Sequence, residues 1–398
     1  PGYLRQSLEF SKAQSYSRMM RRRQTLDKCA IMSRLFHSPL CQAFLLFDLR
    51  DKLEPIGHLS IVKDVQDRVD AYYRDIGVED ANADTLRNRS VALSNKGSLL
   101  SAQGDLPAAL EAFKDSHAIL RRIAESEPAN TAWQHDLAVS SNQLGNLATT
   151  QGTLPEAERY FSQALAIAQR LAASGPTNPA QQRELAVASI GLGDLATAQG
   201  KLPEAERYFA QSLAIVQRLA DSDPDNTNWQ HDLEVSSLRL GDLATAQGKL
   251  PEAERYFDQA LVVAQRLADS DPDNTKWQRE LSVSFSASGN LAQAQGKLPE
   301  AERNFSQALA VAQRLADSDP TNANWQRDLI VASIKLGDIA TAQGKLPEAE
   351  RNFTQALAVA QRLAESDPTN TVWQHDLSIS FHRLGNLATA QGKLSEAE

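Results

Sequence analysis

The sequence predicts an all-α solenoid, in which antiparallel helix pairs stack side by side along the chain. The dipeptide Gln-Gly recurs every 48 residues without slippage, and the segment around it returns almost unchanged, as LGDLATAQGKLP at Leu240–Pro251. On both sides of this segment the apolar residues follow the period of a helix. Neither helix could bury its apolar stripe alone, so neighbouring copies must stack. The recurring Gln residues are Gln103, Gln151, Gln199, Gln247, Gln295, Gln343 and Gln391.

The charge of the chain is unevenly distributed. The net charge is -9, but residues 1–47 hold eight Lys/Arg against two Asp/Glu, while the remainder holds 33 against 48. An acidic array argues against nucleic acid binding along its length, because neutralising phosphates requires Lys and Arg. No apolar run is longer than that of Ala43–Phe47, which is too short to span a bilayer. Cys29 and Cys41 form neither a disulfide framework nor a metal-ligand spacing, which favours a cytoplasmic location.

Residues 1–83 lack the regular period. We expect them to form an irregular helical cap or a linker to an upstream region, since a solenoid end would otherwise expose an apolar face. A basic cluster ends the first predicted helix, and it is either a site for an anionic surface or nucleic acid or, as we favour, an ordinary charged helix end. The cluster consists of Arg18, Arg21, Arg22 and Arg23.

Residues 84–398 are predicted to form six complete 48-residue helix pairs and a truncated seventh. In the copy that starts at Asn226, Thr227 and Gln230 have the spacing of a capping box, which recurs as Thr131/Gln134, Thr275/Gln278 and Thr371/Gln374. The first helix of the pair, helix A, should then run to about Gln247 and end at Gly248. Gly241 inside this helix costs about 1 kcal/mol relative to Ala, which predicts that another helix backbone crosses closely there.

The second helix, helix B, should begin at Pro251, where a missing N–H is harmless. Glu252 and Glu254 favour the positive end of its dipole. Five tryptophans also obey the period, and an aromatic at one fixed position predicts packing between repeats. They are Trp133, Trp229, Trp277, Trp325 and Trp373, with Gln181 in their place in one copy. The predicted buried stripe of helix B is Ala253, Phe257, Ala260, Leu261, Ala264 and Leu267.

This pattern resembles tetratricopeptide repeats (TPR). Leu240-Gly241 followed by Ala253, Phe257 and Ala260 carries the likeness. The usual period of that family is about 34 residues, so both helices are longer here, as in long-helix bacterial arrays. The resemblance implies a right-handed superhelix that binds proteins or peptides on its concave helix A face.

No catalytic constellation is apparent. His-Asp pairs stand at His135-Asp136, His231-Asp232 and His375-Asp376, but Arg183, Arg279 and Arg327 fill the same position in other copies. Arginine is permanently charged and cannot act as a general base, so the position favours a basic surface residue. The Glu-Ala-Glu-Arg runs are interpreted as solvated helix surface. We therefore predict no enzyme activity, no cofactor and no metal.

The near-identical copies disagree at positions that would line the groove of the related family. These variable positions either give an extended ligand distinct side-chain pockets or have drifted neutrally on a tolerant surface, and the sequence leaves both open. Three residues before the helix A Gly stand Asn142, Ile190, Leu238, Ser286, Ile334 and His382. One residue after it stand Asn146, Asp194, Asp242, Asn290, Asp338 and Asn386.

The leading functional hypothesis is a non-enzymatic scaffold that binds a protein or peptide on the helix A face. A second hypothesis is a filament, because Leu394–Glu398 opens an incomplete helix B that the Phe10–Met20 segment of another molecule would complete. Such a head-to-tail contact does not close and would polymerise. A third is the sensor arm of a larger signalling or effector protein.

Overall fold

The computed structural model describes residues 82–368 and 370–393. Within these ranges the chain forms thirteen α-helices and no strands, arranged as six A/B pairs and a seventh helix A. The predicted all-α solenoid is confirmed. The cap, the basic cluster and both chain ends invoked for a filament lie outside the described residues. The helices are α1 Ala83–Ala102, α2 Leu106–Ser126, α3 Thr131–Thr150, α4 Leu154–Ser174, α5 Pro179–Ala198, α6 Leu202–Ser222, α7 Thr227–Ala246, α8 Leu250–Ser270, α9 Thr275–Ala294, α10 Leu298–Ser318, α11 Ala323–Ala342, α12 Leu346–Ser366 and α13 Thr371–Ala390.

The start of helix A differs from the predicted capping box. Asn226, not Thr227, is the N-cap of α7, and its side-chain oxygen accepts from the Trp229 amide at 3.3 Å. Gln230 does not reach back to the cap. Its side chain donates 3.2 Å to the carbonyl oxygen of Ala220, at the end of the preceding helix B. Asn is an excellent N-cap residue, so the Thr is displaced to the first helical position and the Gln is free to join two helices. The same correction applies at Asn130, Asn274 and Asn370.

The turn between the two helices of a pair has the predicted geometry. Gly248 follows α7 with a φ of +74°, a left-handed conformation that strains any residue with a Cβ. Lys249 then bonds back through its N–H to the carbonyl oxygen of Ala244 at 2.8 Å. Helix B starts at Leu250 with Pro251 in its first turn. The tight turn makes the two helices of each pair antiparallel neighbours.

The glycine inside helix A marks a close approach, but the neighbour is not a backbone. A Cβ on Gly241 would lie 2.5 Å from Cε1 of Phe257, on helix B of the same pair. The aromatic ring therefore lies directly on the helix A backbone and fills the space that a side chain would need. The predicted crossing of another helix backbone is wrong at this position. The same Gly–Phe contact joins the pairs at Gly97, Gly145, Gly193, Gly289 and Gly337.

The core forms between repeats as well as within them. Phe257 is 2% exposed and the predicted helix B stripe is buried except for Leu261, which is partly buried. Trp277 packs with Leu233, Leu267 and Leu281, which come from two successive repeats. Four of the tryptophans are buried, and Trp229 is half-buried against the same cluster. The interpretation of the Trp as packing residues agrees with these contacts.

Helix contacts distinguish the two rows of helices. Each helix B packs against helix A of its own pair and against helix A of the next. Contacts between successive A helices also occur, as between α3 and α5 and between α5 and α7. The A helices therefore form the more closely spaced row.

Candidate binding surface

The His-Asp motifs of the sequence belong to a ladder of ion pairs between repeats. In five repeats the basic residue pairs with the acidic residue 49 positions later, in the next helix A, rather than with its sequence neighbour. Arg183 Nε lies 2.5 Å from Asp232, and His135 Nδ1 lies 3.0 Å from Glu184. We call this set the interrepeat ladder. It comprises Arg87–Asp136, His135–Glu184, Arg183–Asp232, Arg279–Asp328 and Arg327–Asp376, with His231 and Glu280 at the equivalent position between α7 and α9.

The ladder matches side-chain lengths. Every Arg of the ladder faces an Asp, and the shorter His135 faces the longer Glu184. The combined length of the two side chains is therefore nearly the same in each pair. The hydrogen bond to Glu184 raises the pKa of His135, which favours the charged imidazolium. This arrangement uses the imidazole in an ion pair between repeats.

A second set of polar contacts explains the Gln-Gly-Lys motif. Gln247 Nε2 donates 3.0 Å to Glu206 of the preceding helix B, and Lys249 Nζ lies 3.4 Å from the same carboxylate. The hydrogen bond from Gln247 and the charge of Lys249 lower the pKa of Glu206. The second Glu of each Glu-Ala-Glu-Arg run is therefore an interrepeat acceptor, which the interpretation as solvated surface missed. The spacing of 41 residues between Glu and Gln was the available signal.

The first set of groove candidates is divided by the structure. Leu238 is 5% exposed and packs in the core with Phe257 and Leu291, and Asn142 is also buried. Ile190 and Ile334 are half-buried against clusters between repeats. Ser286 is half-buried and His382 is exposed, where its Nε2 lies 3.0 Å from the Asn386 amide nitrogen. A partner could not reach the buried members without repacking of the core.

The second set forms an accessible row on the A helices. Asn146, Asp242, Asn290 and Asn386 are exposed, and Asp194 and Asp338 are partly exposed. Burial raises the pKa of Asp194, Asp242 and Asp338, although water reaches all three, so these carboxylates are partly enclosed by protein. We call these six residues the Asn/Asp row.

Cations lie beside the acidic members of the Asn/Asp row. Arg239 Nε is 2.7 Å from Asp194 of the preceding repeat, and Arg383 Nε is 3.0 Å from Asp338. Both Arg residues occupy the position two residues before the helix A Gly, where the other copies carry Gln143, Gly191, Ala287 and Lys335. The charge along the Asn/Asp row therefore differs from repeat to repeat.

Comparison with known proteins agrees with this architecture. Residues 81–271 match the family model of the MalT-like TPR region. No curated protein matches the chain in sequence. This family match over residues 81–271, together with the described helix pairs, shows that the chain carries helix pairs of the tetratricopeptide-repeat type, a fold typical of protein-interaction modules.

Two solved Rap structures share the fold at low identity, and a third solved structure is similar over part of the chain. A Rap protein complexed with competence and sporulation factor is 13% identical, covers 89% of this chain and 94% of its own, and has a TM-score of 0.52. The apo form of RapI is 11% identical, covers 82% and 99%, and has a TM-score of 0.51. BtubC from P. vanneervenii is 21% identical over 66% of this chain and 92% of its own, with a TM-score of 0.49. No helix of the described residues is long and apolar enough to cross a bilayer.

Proposed function

We propose that this protein is a non-enzymatic binding module that holds a protein or peptide segment against its A helices. The observation that carries this proposal is the Asn/Asp row, an accessible polar position repeated along the more closely spaced row of helices. Around it the copies differ in charge and size, although the rest of the repeat is nearly constant. A surface that is regular in position but varied in chemistry suits an extended ligand with distinct side chains.

The chemistry of the row fits a polypeptide. The amide side chains of Asn146, Asn290 and Asn386 offer both donors and acceptors, which a peptide backbone requires. The side chain of Asp242 is open to solvent, although protein surrounds part of its carboxylate. Its negative charge would favour a basic group on the ligand. Ile190 and Ile334 contribute partly exposed apolar surface between the rows.

The relatives support a peptide or protein ligand by analogy of fold. One similar structure is a Rap protein in complex with competence and sporulation factor. The ladder gives the His-Asp motifs a structural role, since Arg stands in the position of His135 in other repeats and pairs in the same way. A cytoplasmic location, a role as the sensor arm of a larger protein and self-assembly through the array ends stay predictions.

The proposal is tested by affinity capture from native lysate, followed by direct titration of any captured protein. The test variant combines Asn146→Ala, Asp242→Ala and Asn290→Ala, three exposed positions of the Asn/Asp row. The matched control combines Arg207→Ala, Arg303→Ala and Arg351→Ala, three exposed side chains of B helices. Leu238 is left unchanged because its burial would make a charged substitution unfold the repeat.

We expect the wild type and the control to bind the same partner, and the test variant to bind it at least about tenfold more weakly, a loss of about 1.4 kcal/mol. Circular dichroism would show that all three chains are folded. Equal binding by the test variant and the control would refute a helix A site. Recovery of only the protein's own chain would favour self-assembly instead.

A further inference from the structure

One carboxylate lies inside the array at a position where the other repeats carry a small or apolar residue. The side chain of Glu234, on α7, is 0% exposed. An ionised carboxylate in such a place costs several kcal/mol unless opposite charge compensates it. The equivalent positions carry Ser90, Ala138, Ala186, Ser282, Ile330 and Ser378.

Two further ligating groups converge on this carboxylate. His231 lies one turn earlier on α7, and Glu280 comes from α9 of the next repeat. One ligating atom from each of the three residues lies within 4.8 Å of the other two. Of the described residues, no other set of three His, Cys, Asp or Glu side chains comes as close together.

The hydrogen bonds of the cluster are incomplete. Ser284 Oγ donates to Oε1 of Glu234 at 2.9 Å, which fixes the orientation of the carboxylate. The other oxygen, Oε2, faces His231 Nδ1 at 3.6 Å, too far for a hydrogen bond. Both of these buried atoms lack a hydrogen-bond partner among the described residues. Buried polar atoms in proteins are nearly always bonded. The open Oε2 of Glu234 therefore indicates that a bound group, which the protein itself does not supply, completes the cluster.

We propose that His231, Glu234 and Glu280 form a binding site for a divalent transition-metal ion of the Zn²⁺ class. One imidazole nitrogen and two carboxylate oxygens suit such an ion, whereas Mg²⁺ and Ca²⁺ prefer oxygen ligands alone. The ion would neutralise both carboxylates and satisfy the two open atoms. Water would complete its coordination on the side of Glu280, which is only partly buried.

The geometry needs little adjustment. Ligands bind Zn²⁺ at about 2.0–2.2 Å, so two of them lie at most about 4.4 Å apart. The separation of up to 4.8 Å therefore closes by small side-chain rotations. Ser284 and the ring of Trp277, 5.5 Å from the imidazole, restrain the ligands around the site. Because the ligands come from two repeats, the ion would join α7 to α9.

An equivalent pair of residues in an earlier repeat lacks the third ligand. The His135–Glu184 pair of the ladder occupies the same place two repeats earlier, but Ala138 stands where Glu234 would be. That pair offers two ligands, and His135 Nδ1 is already bonded to Glu184 at 3.0 Å. The third ligand is therefore the feature that distinguishes the proposed site.

The test is calorimetric titration of the metal-stripped full chain with ZnCl₂, together with thermal unfolding at each metal concentration. The test variant is Glu234→Ala, which introduces the residue found at Ala138 and Ala186 and should therefore fold. The matched control is His135→Arg, which alters the two-ligand pair. Any binding by Cys29, Cys41 or the histidines other than His135 and His231 is common to all three proteins and cancels.

We expect the wild type and the control to bind one equivalent of Zn²⁺ that raises their melting temperature. In Glu234→Ala this equivalent should bind at least about tenfold more weakly, with loss of the thermal shift. Identical titrations of the wild type and Glu234→Ala would overturn the proposal, and so would an equal loss in His135→Arg. Circular dichroism would confirm that the variants are folded.

Discussion

Asn370 donates from its side-chain nitrogen to the carbonyl oxygen of Gly104 at 3.1 Å, although 266 residues separate them. The indole of Trp373, one turn further along α13, lies against the same glycine. The turn between α1 and α2 thus contacts the start of the seventh helix A. Repeats that are distant along the array support each other at this point.

Replacement of Gly104 should destabilise the protein more than replacement of the equivalent Gly152. Both glycines have a positive φ, 85° and 73°, so Ala strains the backbone at either position by about 1 kcal/mol. Only at Gly104 would the added Cβ also overlap Trp373, while nothing lies within 4 Å at Gly152. We expect Gly104→Ala to cost about 1–3 kcal/mol more than Gly152→Ala in urea unfolding. Equal costs would contradict the contact.

The interrepeat ladder predicts that residues can be exchanged only in pairs. Arg183→His leaves the imidazole too short for Asp232, and Asp232→Glu makes the carboxylate too long for Arg183. The double variant recreates the His–Glu pair already present at His135 and Glu184. At pH 6 we expect each single change to cost about 1 kcal/mol and the double variant to recover most of it. Costs that simply add in the double variant would show that length matching is unimportant.

His117 should make the protein sensitive to acid. Burial, aided by the charges of Arg121 and Arg159, lowers its pKa to about 4. Its Nδ1 lies 3.0 Å from Ser140 Oγ, and it stands where the other repeats have Leu, as at Leu165. The folded protein therefore holds the imidazole neutral, while the unfolded chain takes up a proton below pH 6.5.

Stability should accordingly fall as the pH drops from 6.5 to 4, by up to about 3 kcal/mol from this residue. His117→Leu should remove that dependence and raise stability most at low pH. Ser140 Oγ also donates to the carbonyl oxygen of Leu137, so it stays bonded in the variant. Unfolding free energies measured between pH 7 and pH 4 check this, and parallel curves for both proteins would exclude the assigned role.

The sequence indicated where helices meet more reliably than it indicated what meets there. Gly241 predicted a close approach, and the structure supplies the ring of Phe257 rather than a backbone. Thr227 and Gln230 matched a capping box, but Asn226 caps the helix and the Gln bonds to another helix. Such motifs describe local geometry, and several neighbours compete for the same polar groups once the repeats stack.

The exact period, the apolar spacing and the positions of Gly and Pro determined the solenoid by themselves, because each unit must bury its stripe against the next copy. Tertiary structure alone decided which side chains are accessible. Leu238 and Asn142 are buried, whereas Asp242 and Asn290 remain open. It also brought His231, Glu234 and Glu280 together across two repeats. Residues nearly fifty positions apart meet only when the stacking sets their register, which spacing within one helix does not encode.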